Sequence, residues 1–88
     1  MISDYRKESE VLKALAHPIR LRMVEGLMHN ECNVNKIVKA LKIPQSTASQ
    51  HLALLKARGI VQLRKEGVKT CYRVMDPKIF ELVKILGK

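Results

Sequence analysis

A chain of 88 residues has room for one small domain, and we expect a single domain over residues 1–88. Aromatic residues make up 3% of the sequence and tryptophan is absent, so the core must be aliphatic. No apolar run approaches the roughly 20 residues that span a bilayer, and the polar N-terminus lacks a signal-peptide core, so we expect a cytoplasmic protein.

The positive charge is concentrated in the middle of the chain. The net charge is +9, and residues 32–75 contain nine basic residues and a single acidic residue, Glu66. The two ends together are almost neutral. A solvated surface accounts for many basic patches, but a one-sided excess of this size favours a polyanionic partner.

Hydrophobic periodicity and turn residues predict the elements. In chain order these are helices over residues 4–16 and 18–30, a two-turn helix within 31–43, a helix over 45–58, strands near 60–65 and 70–75, and a last helix over 77–86. All three prolines lie at predicted helix starts, Gly59 is expected as a left-handed cap, and Glu66-Gly67 as a hairpin turn. The fold class is therefore mainly α with a β-hairpin wing, in the order α-α-α-α-β-β-α.

The third and fourth helices, with the tight turn Lys42-Ile43-Pro44 between them, predict a helix-turn-helix. On the fourth helix Ala48, Leu52 and Leu55 have the spacing of an inward stripe, whereas positions 46, 49, 50 and 53 share the opposite face. Helix-turn-helix units place the start of this helix in the major groove, where short polar side chains can hydrogen-bond to bases and phosphates. The alternative is an ordinary first turn rich in capping residues.

The predicted hairpin adds a basic wing. Arg64, Lys65 and Lys69 are expected at its tip, where they can reach phosphates or the minor groove and supply the salt-dependent part of the affinity. The alternative is that lysines on an exposed hairpin serve solubility alone.

Three segments resemble the ArsR/SmtB family of winged-helix repressors: LKALAHPIRLRMVEGL, VNKIVKALKIPQSTASQHLALLKARGIV and RKEGVKTCYRV. The most specific part is S-x-x-S-x-H-L-x-x-L-x-x-x-G, from Ser46 to Gly59. The resemblance implies a homodimer that binds an inverted repeat of double-stranded DNA and is released by an effector. The DNA contacts that it implies are Gln45, Ser46, Thr47, Ser49, Gln50 and His51, with wing residues near Lys65 and Lys69.

A dimer is also expected from the residues themselves, because the last helix is apolar on more faces than one small domain can cover. The first helix is its obvious companion. The predicted interface residues are Val11, Leu12, Leu15, Ile79, Phe80, Val83 and Leu86. The alternative is that both helices only cap the core of the monomer.

The metal sites implied by the resemblance have no matching ligands here. A C-x-C pair on the third helix would fall at Asn33 and Asn35, and asparagine is a poor ligand for thiophilic ions. The last helix offers Glu81 without a histidine. We therefore predict no metal site and no cofactor.

Cys32 and Cys71 have no C-x-x-C spacing, and in a reducing cytosol the default is two free thiols. In winged helices the residues before the third helix often pair with the second wing strand, which would bring the two sulfurs together. Packing cysteines, a switch responding to redox or sulfur species, and a metal role all remain open.

The leading hypothesis is a homodimeric, DNA-binding transcriptional repressor, and no feature predicts an enzyme: there is no glycine-rich phosphate loop, carboxylate pair or nucleophile with a neighbouring base. One alternative is a winged-helix module that binds RNA or a protein partner. Single-stranded RNA readers usually stack bases on aromatic residues, of which this chain has Tyr5, Tyr72 and Phe80. The other alternative is a metal-responsive repressor with a non-standard site.

Overall fold

The computed structural model describes residues 5–87 and confirms the predicted order of elements. They are α1 (Tyr5–Leu15), α2 (Pro18–His29), α3 (Val34–Leu41), α4 (Gln45–Ala57), β1 (Val61–Glu66), β2 (Lys69–Val74) and α5 (Pro77–Leu86). The fold is a winged helix-turn-helix, in which α3 and α4 form the helix-turn-helix and the β-hairpin forms the wing. The predicted start of the first helix at residue 4 lies outside the described residues.

Two helices begin at a side-chain cap followed by proline. The His17 Nδ1 atom accepts a hydrogen bond from the Ile19 backbone N–H at 3.1 Å, and Pro18 is the first residue of α2. At α5, Asp76 Oδ1 accepts from the Lys78 N–H at 2.9 Å. These caps satisfy N–H groups that have no partner inside the helix, and the proline that follows has no N–H to satisfy.

Gly59 ends α4 as predicted. It has φ 74°, its N–H donates to the Lys56 carbonyl at 3.0 Å, and the Ile60 N–H donates to the Leu55 carbonyl at 2.9 Å. This is the Schellman pattern, which needs a left-handed residue and therefore favours glycine. The turn directs the chain from α4 straight into β1, so the wing starts immediately after the helix-turn-helix.

The core is aliphatic, as the composition predicts, and α2 lies at its centre. α2 packs against α1, α3, α4, α5 and β2. Met23, Val24 and Leu27 of α2 are completely buried, together with Leu55 and Ile60. Each such side chain contributes about 1.5–3 kcal/mol through burial, so α2 fixes the positions of the elements around it.

The hairpin turn lies one residue later than the sequence predicts. The strands are antiparallel and pair from Val61 opposite Val74 to Glu66 opposite Lys69, which leaves Gly67-Val68 as the turn. Gly67 has φ 63°, as the first central residue of a type II′ turn requires. The predicted turn at Glu66-Gly67 is therefore corrected, because Glu66 still belongs to the ladder.

Within residues 5–87, no helix combines the length and the apolar character that crossing a membrane would require.

Candidate DNA-binding surface

The turn between α3 and α4 depends on a left-handed lysine. Lys42 has φ 58° and ψ 44°, and its N–H donates to the carbonyl oxygens of Val38 and Lys39. Pro44 is extended and leads into α4. Val38 of α3 and Ala48 of α4 belong to the same buried core, so the two helices are held at a fixed angle by packing.

The outer face of α4 is polar, short and almost uncharged. Ala48, Leu52 and Leu55 are buried, so the predicted inward stripe is observed and the opposite face lies in solvent. The exposed predicted contacts on α4 are Gln45, Ser46, Ser49 and Gln50, beside the exposed Ala53, whereas Thr47 is half-buried. No acidic residue occurs in α4, and its only Lys or Arg is Lys56, near the C-terminal end. A duplex could therefore approach the backbone of α4 closely, as direct reading of base edges requires.

His51 has a different environment from its neighbours on α4. It is half-buried, its ring centroid lies 4.8 Å from that of His17, and its Nδ1 atom lies 3.3 Å from Arg20 Nη1. Burial, followed by the nearby His17 and Arg20, lowers the pKa of His51. The side chain assigned to DNA by resemblance thus also contacts the start of α2.

The wing presents Lys65 and Lys69 but not Arg64. Lys65 and Lys69 are exposed near the turn. Arg64 lies in mid-strand opposite Cys71, and its guanidinium forms ion pairs with Glu31 at 3.4 Å and with Glu66 at 2.9 Å. The prediction that Arg64 lies at the hairpin tip is wrong, because the later turn places it one residue further from the tip, where it is within reach of Glu31.

Glu31, which the prediction from sequence did not include, anchors the wing to the loop between α2 and α3. Its carbonyl accepts from the Tyr72 N–H at 2.8 Å, and its carboxylate pairs with Arg73 Nε at 3.2 Å as well as with Arg64. The only hint in the sequence was a lone acid next to Cys32, beside a stretch rich in basic residues. Backbone and side-chain contacts therefore hold β2 beside this loop.

Cys32 and Cys71 form a disulfide at the same place. Their Cα atoms are 4.1 Å apart, Cys71 is completely buried and Cys32 is half-buried. The expectation of two free thiols is wrong for this structure, because the Tyr72–Glu31 hydrogen bond brings the second wing strand against the residues before α3. The disulfide joins parts of the chain that are 39 residues apart in sequence.

The fold and the sequence agree with one group of known proteins. The family model of bacterial regulatory proteins of the arsR family matches residues 17–62, which include α2, α3 and α4. The chain belongs to the ArsR family. It is 38% identical over 81 residues to the transcriptional repressor PagR of Bacillus anthracis, covering 91% of this chain and 81% of PagR. It is 41% identical over 88 residues to an uncharacterised helix-turn-helix regulator, MJ1325, of Methanocaldococcus jannaschii, covering 99% of each chain.

Solved structures of ArsR-type proteins have the same architecture. The crystal structure of PagR superposes with a TM-score of 0.81 at 36% identity, covering 93% of this chain and 94% of the PagR chain in the crystal. The homodimeric winged helix-turn-helix DNA-binding domain of Mb0332 from Mycobacterium bovis gives a TM-score of 0.80 at 30% identity, covering 99% and 85% of the two chains. The family members found are transcriptional regulators.

The seven residues predicted for an ArsR dimer interface separate into two groups. Leu12, Phe80 and Leu86 are exposed, and Val11 is half-buried. The other three, Leu15, Ile79 and Val83, are buried in the core of the chain itself, because these sides of α1 and α5 pack inward. We correct these three to core residues.

Ile85 is a further exposed apolar side chain on α5, which the prediction omitted although the all-round apolar pattern of this helix includes it. Beside α5, an open groove of about 450 Å³ runs between α1 and α5, with Val11, Leu12 and Leu82 among its lining residues. The terminal helices α1 and α5 therefore carry apolar surface that is available for association.

No cluster of potential metal ligands occurs among residues 5–87. Within that range, no group of three or more His, Cys, Asp or Glu side chains is arranged to hold an ion. His17 and His51 are neighbours, but the Nδ1 atom of each faces a hydrogen-bond donor, the Ile19 N–H and Arg20 respectively.

Proposed function

We propose that this ArsR-family chain is a sequence-specific repressor that reads double-stranded DNA with α4, which we call the recognition helix. The observation that carries the proposal is the exposed face formed by Ser46, Ser49 and Gln50, which has no long charged side chain. Gln can pair bidentately with adenine, and Ser can bond to bases or phosphates. Lys65 and Lys69 on the wing would add phosphate contacts and salt dependence.

We further propose that the repressor acts as a homodimer on an inverted repeat. Leu12, Phe80 and Leu86 form exposed apolar surface on the two terminal helices, and exposed apolar patches of this kind mark association sites. A two-fold dimer would place its recognition helices one DNA turn apart, about 34–36 Å. The homodimeric Mb0332 domain, at 30% identity, supports this assembly.

The test of DNA reading uses a duplex selected by the wild-type protein from a random-sequence pool, called here the selected duplex. The double variant Ser46→Glu, Gln50→Glu should lose specific binding, since two carboxylates on the recognition face repel the bases and phosphates of the groove. The control is Ser9→Glu, Gln62→Glu, which makes the same substitutions at exposed positions of α1 and β1. Equal affinity of the two double variants for the selected duplex would refute the proposed face.

We also propose that the Cys32–Cys71 pair makes the repressor responsive to redox or sulfur species. Cys32 is half-buried whereas Cys71 is fully buried, so an attacking thiolate can reach the Cys32 sulfur. A dithiol reductant would break the S–S bond, give two electrons and become a disulfide, leaving two protein thiols. In a cytosolic protein thiols are reduced at rest, so the disulfide form would be the signalled state, which releases DNA through a change at the wing and not through the orientation of α4.

The redox proposal is tested by measuring binding of the selected duplex to the reduced and oxidised protein. We expect the reduced form to bind at least about tenfold more tightly, a difference of about 1.4 kcal/mol. Disulfide formation changes how the wing, and with it Lys65 and Lys69, can move relative to α4. A Cys32→Ser, Cys71→Ser variant should not respond to oxidised glutathione or polysulfide. Equal affinities of the two wild-type forms would overturn the switch.

A further inference from the structure

One arginine links three helices behind the recognition face. Arg20, in the first turn of α2, donates from Nε to the carbonyl oxygen of Ala14 at 2.6 Å, and its Nη1 atom lies 3.3 Å from Nδ1 of His51. Ala14 is in the last turn of α1, where carbonyl groups have no partner within the helix. Arg20 therefore donates a hydrogen bond to a carbonyl group at the C-terminal end of α1 and, at the same time, contacts His51 in the middle of α4.

The contact between Arg20 and His51 requires a particular protonation state. Arginine can only donate hydrogen bonds, so His51 Nδ1 must be unprotonated and its proton must be on Nε2. The Nδ1 atom of His17 also accepts, from the Ile19 N–H, which gives that ring the same tautomer. Burial, followed by the neighbouring His17 and Arg20, lowers the pKa of His51, so its neutral, accepting form is favoured.

Arg20 differs in this respect from Arg22 on the same helix. Arg22 is exposed, whereas Arg20 is half-buried between α1 and α4. The guanidinium is a planar fork that can hold two acceptors in a fixed relation, which a lysine ammonium does less well. Arg20 is thus suited to fix an angle between helices in addition to adding charge.

We infer that Arg20 is a positioning residue: through His51 it holds the recognition helix in the orientation that reads DNA, and through Ala14 it ties that orientation to α1. This inference rests on the proposed function. Specific contacts depend on side chains held within about 0.5 Å of their working geometry, so a released α4 should lose base reading before it loses phosphate attraction. Because α1 carries Leu12, part of the proposed interface, the same link would set the spacing of the two recognition helices of a dimer.

The experiment compares Arg20→Ala with Arg22→Ala, which removes the same charge from the same helix. Affinity is measured for the selected duplex and for an unrelated duplex of equal length, over a series of salt concentrations. We expect Arg20→Ala to lower affinity for the selected duplex at least about tenfold more than Arg22→Ala does. Affinity for the unrelated duplex, and the salt slope, should be the same in the two variants.

A double-mutant cycle tests the route through His51. If Arg20 acts on α4 through this ring, Arg20→Ala combined with His51→Ala should lose no more specificity than either single change. NMR titration tests the contact itself: the pKa of His51 should rise in Arg20→Ala, which removes a neighbouring cation, and stay unchanged in Arg22→Ala. If Arg20→Ala does not fold, Arg20→Lys, which keeps the charge but lacks the planar fork, should still lower the ratio of specific to unspecific affinity.

Three outcomes would overturn the inference. Arg20→Ala could match Arg22→Ala on both duplexes. It could instead weaken both duplexes and reduce the salt slope by about 0.9 per chain relative to Arg22→Ala, which would make Arg20 a direct phosphate contact. Full additivity in the cycle would remove His51 from the route. Failure of the wild-type protein to select any duplex would refute the proposed function, a result distinguishable from all three.

Discussion

Removing the two lysines beside the wing turn should flatten the salt dependence of DNA binding by a calculable amount. Lys65 and Lys69 are both exposed on the wing, and a dimer carries two wings. Each neutralised phosphate contributes about −0.9 to the slope of log affinity against log salt, so four lysines account for about −3.6. Between 50 and 200 mM salt, the wild-type dimer should therefore lose about 150-fold more affinity than a Lys65→Ala, Lys69→Ala variant.

The assay is fluorescence anisotropy with the selected duplex and with an unrelated duplex of equal length, because phosphate contacts should matter equally for both. The control variant, Lys13→Ala, Lys84→Ala, removes the same charge from exposed positions on α1 and α5. It should leave the slope close to that of the wild type. If the wing variant keeps the wild-type slope, or if both double variants lower it equally, the wing does not contact the phosphates and the calculation is wrong.

Three further predictions concern assembly and stability. Phe80→Asp should weaken dimerisation by about 3 kcal/mol or more, since it buries an uncompensated charge. The control Lys39→Asp, at an exposed position of α3, should leave dimerisation unchanged. Sedimentation that finds Phe80→Asp fully dimeric would exclude this interface. Because the pKa of His51 is lowered in the folded state, its contribution to stability is present above about pH 6.5 and is lost as the pH falls through the folded pKa. The free energy of unfolding should therefore drop more between pH 7 and pH 5 in the wild type, and in the control His29→Gln, than in His51→Gln. Equal drops in all three proteins would contradict this. Glu31→Gln should lower the free energy of unfolding by about 1 kcal/mol or less, because the ion pairs of Glu31 with Arg64 and Arg73 are partly exposed. Denaturant titration measures this change. A loss above about 3 kcal/mol would show that these ion pairs hold the wing more strongly than we infer.

Local chemistry made most of the fold predictable. Pro18, Asp76 and Gly59 mark element ends through backbone geometry and capping, which do not depend on distant residues. The inward stripe of α4 was predictable for a similar reason. Ala48 and Leu55 share one face, the opposite face is polar, and only one orientation buries the apolar side.

Local rules do not determine which faces of the terminal helices pack against the core. α5 is apolar around most of its circumference, so its pattern does not say which side meets the core of its own chain. Ile79 and Val83 pack inward while Phe80 and Ile85 remain exposed, and this division is set by where α2 lies. Sequence periodicity predicted the excess of apolar residues on α5, but not which of them pack into the core and which stay exposed.

The resemblance to winged helices predicted that the second wing strand lies beside the residues before α3, but the part of Glu31 in that contact was beyond prediction for a different reason. Glu31, Cys32 and Cys71 are brought together by pairing between residues about 40 positions apart, and no local rule fixes such a distance. Arg64 illustrates the sensitivity of a hairpin to register. Moving the turn by one residue placed Arg64 in mid-strand, beside Glu31, instead of at the tip.

Because of where the charged residues lie around α4, the affinity and the specificity of DNA binding should depend on different residues. The recognition helix has no Lys or Arg before Lys56, so attraction to phosphates should come chiefly from the basic residues of α3, of the turn that follows it and of the wing. Those lysines attract any duplex equally. Discrimination must then depend on short side chains that reach bases only if the α4 backbone lies deep and correctly oriented in the groove. A recognition helix with short side chains tolerates a smaller displacement of its backbone than one that contacts bases through long arginines. For this reason the contacts of Arg20 with Ala14 and His51 should affect the specificity of DNA binding more than its affinity.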